Sequence, residues 1–191
     1  MDAITLLRTD HEQVLAMLNT LDAGLTEPSG AGDERLRARK ELVTELVIAE
    51  SQHEAVEEQF FWPMVRDRVP GGEELAAHAV DQEDAAKKVL NALDHADPNT
   101  AEFEELVDKI IADGREHIGY EQDHVWPRVQ AAVSMAELED VGEKMAKAKK
   151  MAPTRPHPAA PSGGAAQKSA GPVAAMLDKL RDAVTGRSGK R

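Results

Sequence analysis

Two stretches of this chain pair a histidine with a glutamate four residues on: HEAVEEQFFWP from His53 and HIGYEQDHVWP from His117. Both continue into Trp-Pro, at Trp62-Pro63 and Trp126-Pro127. On a helix, residues i and i+4 share a face, so each string offers one imidazole and one carboxylate to the same point in space. His53 with Glu57 and His117 with Glu121 are therefore candidate ligand pairs, of a hard-to-intermediate character that suits iron or manganese. His11 joins them because it fills the gap in an apolar stripe formed by Ile4, Leu7, Val14, Leu18 and Leu21. Burying two carboxylates and three imidazoles in one core is costly unless a cation pairs with them, which points to a metal site. His78, His95, His124 and His157 lack a comparable setting and read as surface residues.

Five helices are expected to position these groups. The first spans residues 3 to 23, and the breaker-rich GLTEPSGAGD of residues 24 to 33 separates it from a second over about 34 to 66. The inward positions of that second helix run Leu42, Leu46, Ala49, His53, Val56, Phe60 and Met64, with Pro63 expected to kink or end it. Pro70-Gly71-Gly72 makes a turn into a third helix over about 73 to 95, and Asp97-Pro98-Asn99-Thr100 leads to a fourth over 101 to 131. Ser134 and Glu137 form a capping box that opens a shorter fifth helix over 135 to 150. Residues 151 to 172, rich in Pro, Ala and Gly, read as a mobile linker. A short amphipathic helix through Val173, Met176, Leu177, Leu180 and Val184 and a basic tail then complete residues 173 to 191.

Composition agrees with an all-α fold. Hydrophobic residues make up 41% of 191, enough for one core, whereas aromatics are only 3% and helix formers dominate. The formal charge of −12 argues against nucleic acid or an anionic membrane as partner. With no cysteine, thiolate metal sites and iron–sulfur clusters are excluded, so nitrogen and oxygen must hold any metal. The start of the chain lacks a signal-peptide pattern, and no apolar run is long enough to span a bilayer; a cytoplasmic location is expected.

His11 early in the first helix, followed by two His-x3-Glu strings that each end in Trp-Pro, resembles the ligand pattern of the hemerythrin-like HHE family over residues 1 to 150. The resemblance implies an up-down-up-down antiparallel four-helix bundle around two non-haem irons, with manganese as the lesser alternative. It further implies an oxo or hydroxo bridge between the ions, Glu57 and Glu121 as bridging carboxylates, and His11, His53 and His117 as terminal ligands. The third helix departs from the pattern. Counting back from Leu90 and Leu93 to the family's usual histidine lands on Glu83. At about 100° per residue, the stripe Leu75, Ala79, Ala86, Val89, Leu90 and Leu93 centres near Ala86. Gln82 lies roughly 30° from that line and Glu83 and His78 roughly 70° on opposite sides, so geometry favours Gln82. Ligand chemistry favours Glu83, since an anionic carboxylate binds iron far better than an amide. Glu83 is taken as the sixth ligand, with Gln82 and His78 as alternatives.

By the same resemblance, the site is expected to bind or react with a small oxidant (dioxygen, hydrogen peroxide or nitric oxide) in oxidative or nitrosative stress, with catalase-like turnover as its enzymatic form. The competing readings are an iron-binding sensor without turnover and an interaction module that docks an unidentified protein through its tail.

Overall fold

The computed structural model describes residues 1–24, 32–158, 176, 178, 181 and 182. Helix α1 (Ala3–Asp22) begins at Asp2, whose carboxylate accepts from Thr5 N at 3.0 Å. Helix α2 (Gly32–Val56) runs through a π-helical turn, Glu57–Phe61, into α3 (Trp62–Arg68), and α4 (Gly72–His95) returns. Helix α5 (Ala101–Tyr120), capped by the Thr100 side chain, passes through a second π turn, Glu121–Val125, into α6 (Trp126–Ala132). Helix α7 (Met135–Lys149) closes the order. The short connections make α1, α2/α3, α4 and α5/α6 an antiparallel four-helix bundle in which α1 packs on α2 and α5, and α4 on α2 and α5. Helix α7 lies outside this square against α1 and α2. Among the described residues no helix is long and apolar enough to cross a membrane.

Each π turn starts at the glutamate of a His-x3-Glu string and ends one residue before Trp-Pro. The extra residue per turn shifts the inward register. Phe61, Trp62 and Val65 are fully buried, whereas Phe60, expected inward from unbroken α-periodicity, is half-buried. Pro63 neither ends nor breaks the helix; it sits in the first turn of α3, where its missing N–H costs little. Of the expected capping box, Ser134 Oγ accepts from Glu137 N at 3.3 Å, while the Glu137 carboxylate accepts from Arg68 Nε at 2.7 Å.

The core is divided by height. One apolar cluster gathers Leu7, Phe61, Trp62, Val65, Ala79, Trp126 and Val129; the other gathers Val14, Leu18, Leu46, Val47, Leu90, Phe103 and Ile110. Between Leu7 and Val14 stands His11, between Val47 and Val56 stands His53, and between Ala79 and Val89 stands Glu83. A polar layer is thus clamped between two dry ones.

The chain beyond α7 touches the bundle where it is described. Ala152 and Pro156 are buried despite the linker-like composition, and Arg155 pairs with Asp94 at 3.0 Å and Asp182 at 2.8 Å. Thr154 N donates to Asp178 Oδ2 at 3.2 Å. Residues 176, 178, 181 and 182 are helical, and Met176 is exposed. Val173, Leu177, Leu180, Val184 and the basic tail lie outside the described residues, as does most of the loop over 24 to 33.

Candidate metal centre

Four helices each bring their part of the polar layer inward: His11 from α1, His53 and Glu57 from α2 and its π turn, Glu83 from α4, and His117 and Glu121 from α5 and its π turn. All six expected residues meet here, and their donor atoms fall into two groups that could each hold a metal ion. In each group the atoms lie within 4.8 Å of one another: His11, His53 and Glu121 in the first, and Glu57, Glu83, His117 and Glu121 in the second. Glu121 belongs to both, its Oε2 at 3.2 Å from His11 Nε2 and its Oε1 at 3.4 Å from His117 Nε2. Glu57 Oε2 approaches His53 Nε2 at 3.1 Å, so the second group touches the first along this edge too. His11 Nε2 and His53 Nε2 stand 3.3 Å apart.

Electrostatics favour a cation here. Both oxygens of Glu57 and of Glu121, Glu83 Oε2 and His117 Nε2 are buried without a hydrogen-bond partner. Leaving so many acceptors unsatisfied is costly, and a metal ion drawn to them would relieve it. Burial, reinforced by the neighbouring carboxylates, pushes Glu57 and Glu83 well above the usual carboxylate range. Burial likewise lowers His11, and it pushes His117 down to about 4, so both imidazoles are neutral and have a lone pair to give. Glu121 is held down at about 2: burial opposes its charge, but the facing His117 and His11 outweigh it. Neutral imidazoles and a carboxylate set are a nitrogen–oxygen donor shell of the kind iron and manganese take.

Behind the donors stands a ring of hydrogen-bonding partners, a role that sequence reasoning assigned to none of them. His11 Nδ1 meets the Gln122 side-chain amide at 3.3 Å, and His117 Nδ1 meets Gln82 Oε1 at 3.2 Å. His53 Nδ1 meets Asp10 Oδ2 at 3.4 Å. Burial opposes the charge of Asp10, yet His53 and Lys149 hold its carboxyl below the ordinary value. Such outer partners fix the ring orientation and leave Nε2 to face the centre. Trp62 Nε1 donates to Glu83 Oε1 at 2.6 Å, while Trp126 stacks on His11 with centroids 4.9 Å apart. Behind Glu83, Lys87 pairs with Glu58, with Asp84 at 3.2 Å and with Glu54 at 3.8 Å. The carboxylates around Lys87 outweigh burial and raise its pKa.

On α4 the structure separates the three candidates. Glu83 is 1% exposed and faces the centre; Gln82 is half-buried on His117; His78 is exposed, its ring 4.4 Å from that of Tyr120. The helical-wheel preference for Gln82 fails because Ala76 is fully buried and Ala86 only half-buried. That exchange moves the centre of the buried stripe to about midway between Gln82 and Glu83. The indole N–H of Trp62 then holds the Glu83 carboxyl inward, donating to its Oε1 at 2.6 Å.

Residues 2–129 match the family model described as the hemerythrin HHE cation binding domain. The chain belongs to this family. An uncharacterized hemerythrin-like protein of Schizosaccharomyces pombe is 27% identical over 151 residues, covering 78% of this chain and 72% of the relative. The crystal structure of a hemerythrin HHE cation binding domain-containing protein from Mycobacterium kansasii superposes with a TM-score of 0.64. At 19% identity, it covers 100% of this chain and 95% of its own. That likeness supports the fold; the hemerythrin-like cation-binding assignment rests on the family match, and the His/Glu cluster is where this chain could hold its metal.

Proposed function

We propose that this chain is a non-haem di-iron protein whose centre binds or reacts with a small oxidant, namely dioxygen, hydrogen peroxide or nitric oxide, in oxidative or nitrosative stress. The observation that carries the reading is Glu121: its two oxygens face imidazoles belonging to different donor groups, the placement a carboxylate needs to join two ions. His11 and His53 would serve one ion, and Glu57, Glu83 and His117 the other. Iron supplies one-electron redox steps, and two ions joined by carboxylates can share them. The chain's own residues hold imidazoles toward the centre, keep carboxylates ready to ionise against a cation, and exclude water with the apolar layers above and below.

The test combines metal analysis, absorption spectroscopy and a peroxide assay. Protein expressed with added iron should carry about two irons per chain and show ligand-to-metal bands in its oxidised form. A metal content near zero overturns the reading. Oxygen release from peroxide would establish turnover, and spectral change without turnover would make the protein a sensor.

A further inference from the structure

We propose that Asp10 and Lys149 are positioning residues for His53, and that through them loading of the metal centre is coupled to docking of the last turn of α7. The inference rests on the reading of His53 as a metal ligand. Asp10 Oδ2 serves two partners at once, His53 Nδ1 at 3.4 Å and Lys149 Nζ at 2.5 Å. The other two imidazoles have side-chain amides from within the four-helix bundle as their outer partners, Gln122 and Gln82. The outer partner of His53 is a carboxylate, and that carboxylate is tied to a helix outside the bundle.

The contact depends on how closely α7 lies on α1. Gly142 has no side chain because a Cβ there would stand 2.5 Å from Met1 O and 2.6 Å from Asp2 C. Met145, one turn on, is fully buried, and Lys149 is the last residue of the helix. A groove lined by Met1, Leu6, Thr9, Asp10, Gln52, Ala146, Lys149 and Lys150 runs beside the ion pair. Between the buried Met145 and the buried Ala152, residues 146 to 150 are half-buried or exposed, so this is the part of the chain whose local opening would break the Lys149–Asp10 pair while the bundle stays folded.

Chemistry supplies the coupling. An imidazole that gives its Nε2 lone pair to a cation becomes a stronger Nδ1–H donor, which fixes Asp10 where Lys149 needs it. By linkage the effect is reciprocal, so a docked Lys149 holds Asp10 for His53 and favours the loaded state.

The experiment uses the full chain with Fe(II) under argon, reading iron affinity and amide hydrogen exchange over residues 146 to 149. In the parent protein iron should slow exchange there. Asp10→Leu should weaken iron binding by about 10- to 100-fold, the range for outer partners of metal-bound histidines, and abolish the slowing. Lys149→Ala should abolish the slowing with a smaller loss of affinity, and Lys149→Arg should restore both. Parent affinity in Asp10→Leu, or iron-dependent slowing in Lys149→Ala equal to the parent, overturns the proposal. If the parent binds no iron, the metal reading itself fails. The positioning role is then judged by nitrogen NMR of the metal-free protein, which should show His53 protonated on Nδ1 in the parent and shifted in Asp10→Leu; an unchanged tautomer overturns it.

Discussion

The two donor groups share Glu121 but differ in kind. The first, His11 and His53 with Glu121, has two imidazoles against one carboxylate, and its outer partners are Gln122 and Asp10. The second sets Glu57, Glu83 and Glu121 around a single imidazole, His117, with the Lys87 ion-pair knot behind Glu83. Carboxyl groups are thus concentrated on one side of the shared Glu121. The first group has one carboxylate to balance when it stands empty. The second is stable without a cation only if its carboxyls keep their protons, which is the direction in which burial moves Glu57 and Glu83. An ion held by the second group should bind more strongly as its charge rises, which, if the metal is iron as proposed, favours Fe(III) there.

Removing the shared residue should have the largest effect. We expect Glu121→Ala to empty both groups, leaving well under one iron per chain, because a direct ligand is worth more than the about 10- to 100-fold in affinity of an outer partner. His53→Ala and Glu83→Ala should each leave about one iron, in the first case bound by the carboxylate-rich group and in the second by the imidazole-rich group. Metal analysis after dialysis reads all three. If Glu121→Ala retains as much iron as either single-group variant, Glu121 does not join the two groups.

Acidity sharpens the contrast. In the metal-free protein Glu57 and Glu83 have raised values, so their contribution is full below the ordinary carboxylate range and is lost as pH rises through those values. His117, at about 4, works oppositely, its contribution being lost as pH falls from the ordinary imidazole value toward about 4. Glu121, at about 2, loses its contribution between the ordinary carboxylate value and about 2. A bound cation replaces the protons of the carboxylate-rich group, so the rise in melting temperature on iron loading should be larger at about pH 8 than at about pH 5. Glu83→Gln should blunt that difference. A rise that is the same at both pH values would mean that Glu57 and Glu83 are already ionised in the empty site.

The imidazole-rich group was the more legible in the sequence. His11 and His53 sit where an apolar stripe demands an apolar residue, so periodicity alone draws attention to them. Glu83 needed the argument from ligand chemistry, because its helical-wheel position depends on whether Ala76 or Ala86 is buried, and that is decided by neighbouring helices. The π turns were hidden for a related reason. Each adds a residue to a helix whose pattern on either side reads as ordinary, and its mark is the displacement of Phe60 by Phe61 from the core. Asp10, Lys149, Gln122 and Lys87 left no signal beyond ordinary surface polarity, since their partners are distant in sequence and are brought close by helix packing.

The smallest effect separates the two Trp-Pro tryptophans, which the sequence presents as equivalent. Trp62 Nε1 donates to Glu83 Oε1 at 2.6 Å in the carboxylate-rich group, whereas Trp126 Nε1 is buried without a partner beside His11. Both indoles are almost completely buried, so Trp→Phe removes comparable volume from the same apolar cluster at either position. What differs is the N–H. Trp62→Phe leaves a buried carboxyl oxygen without its donor, while Trp126→Phe removes a donor that had nothing to bond. A hydrogen bond is worth about 0.5–1.5 kcal/mol between neutral groups and about 1.5–3 kcal/mol to a charged one, and burial, which moves Glu83 toward its neutral form, places this bond near the boundary between the two. We therefore expect Trp62→Phe to destabilise the metal-free protein by about 1–2 kcal/mol more than Trp126→Phe, read from urea midpoints at constant slope. Equal losses would show that the indole N–H contributes nothing to holding Glu83, and that packing alone places this carboxylate in the centre.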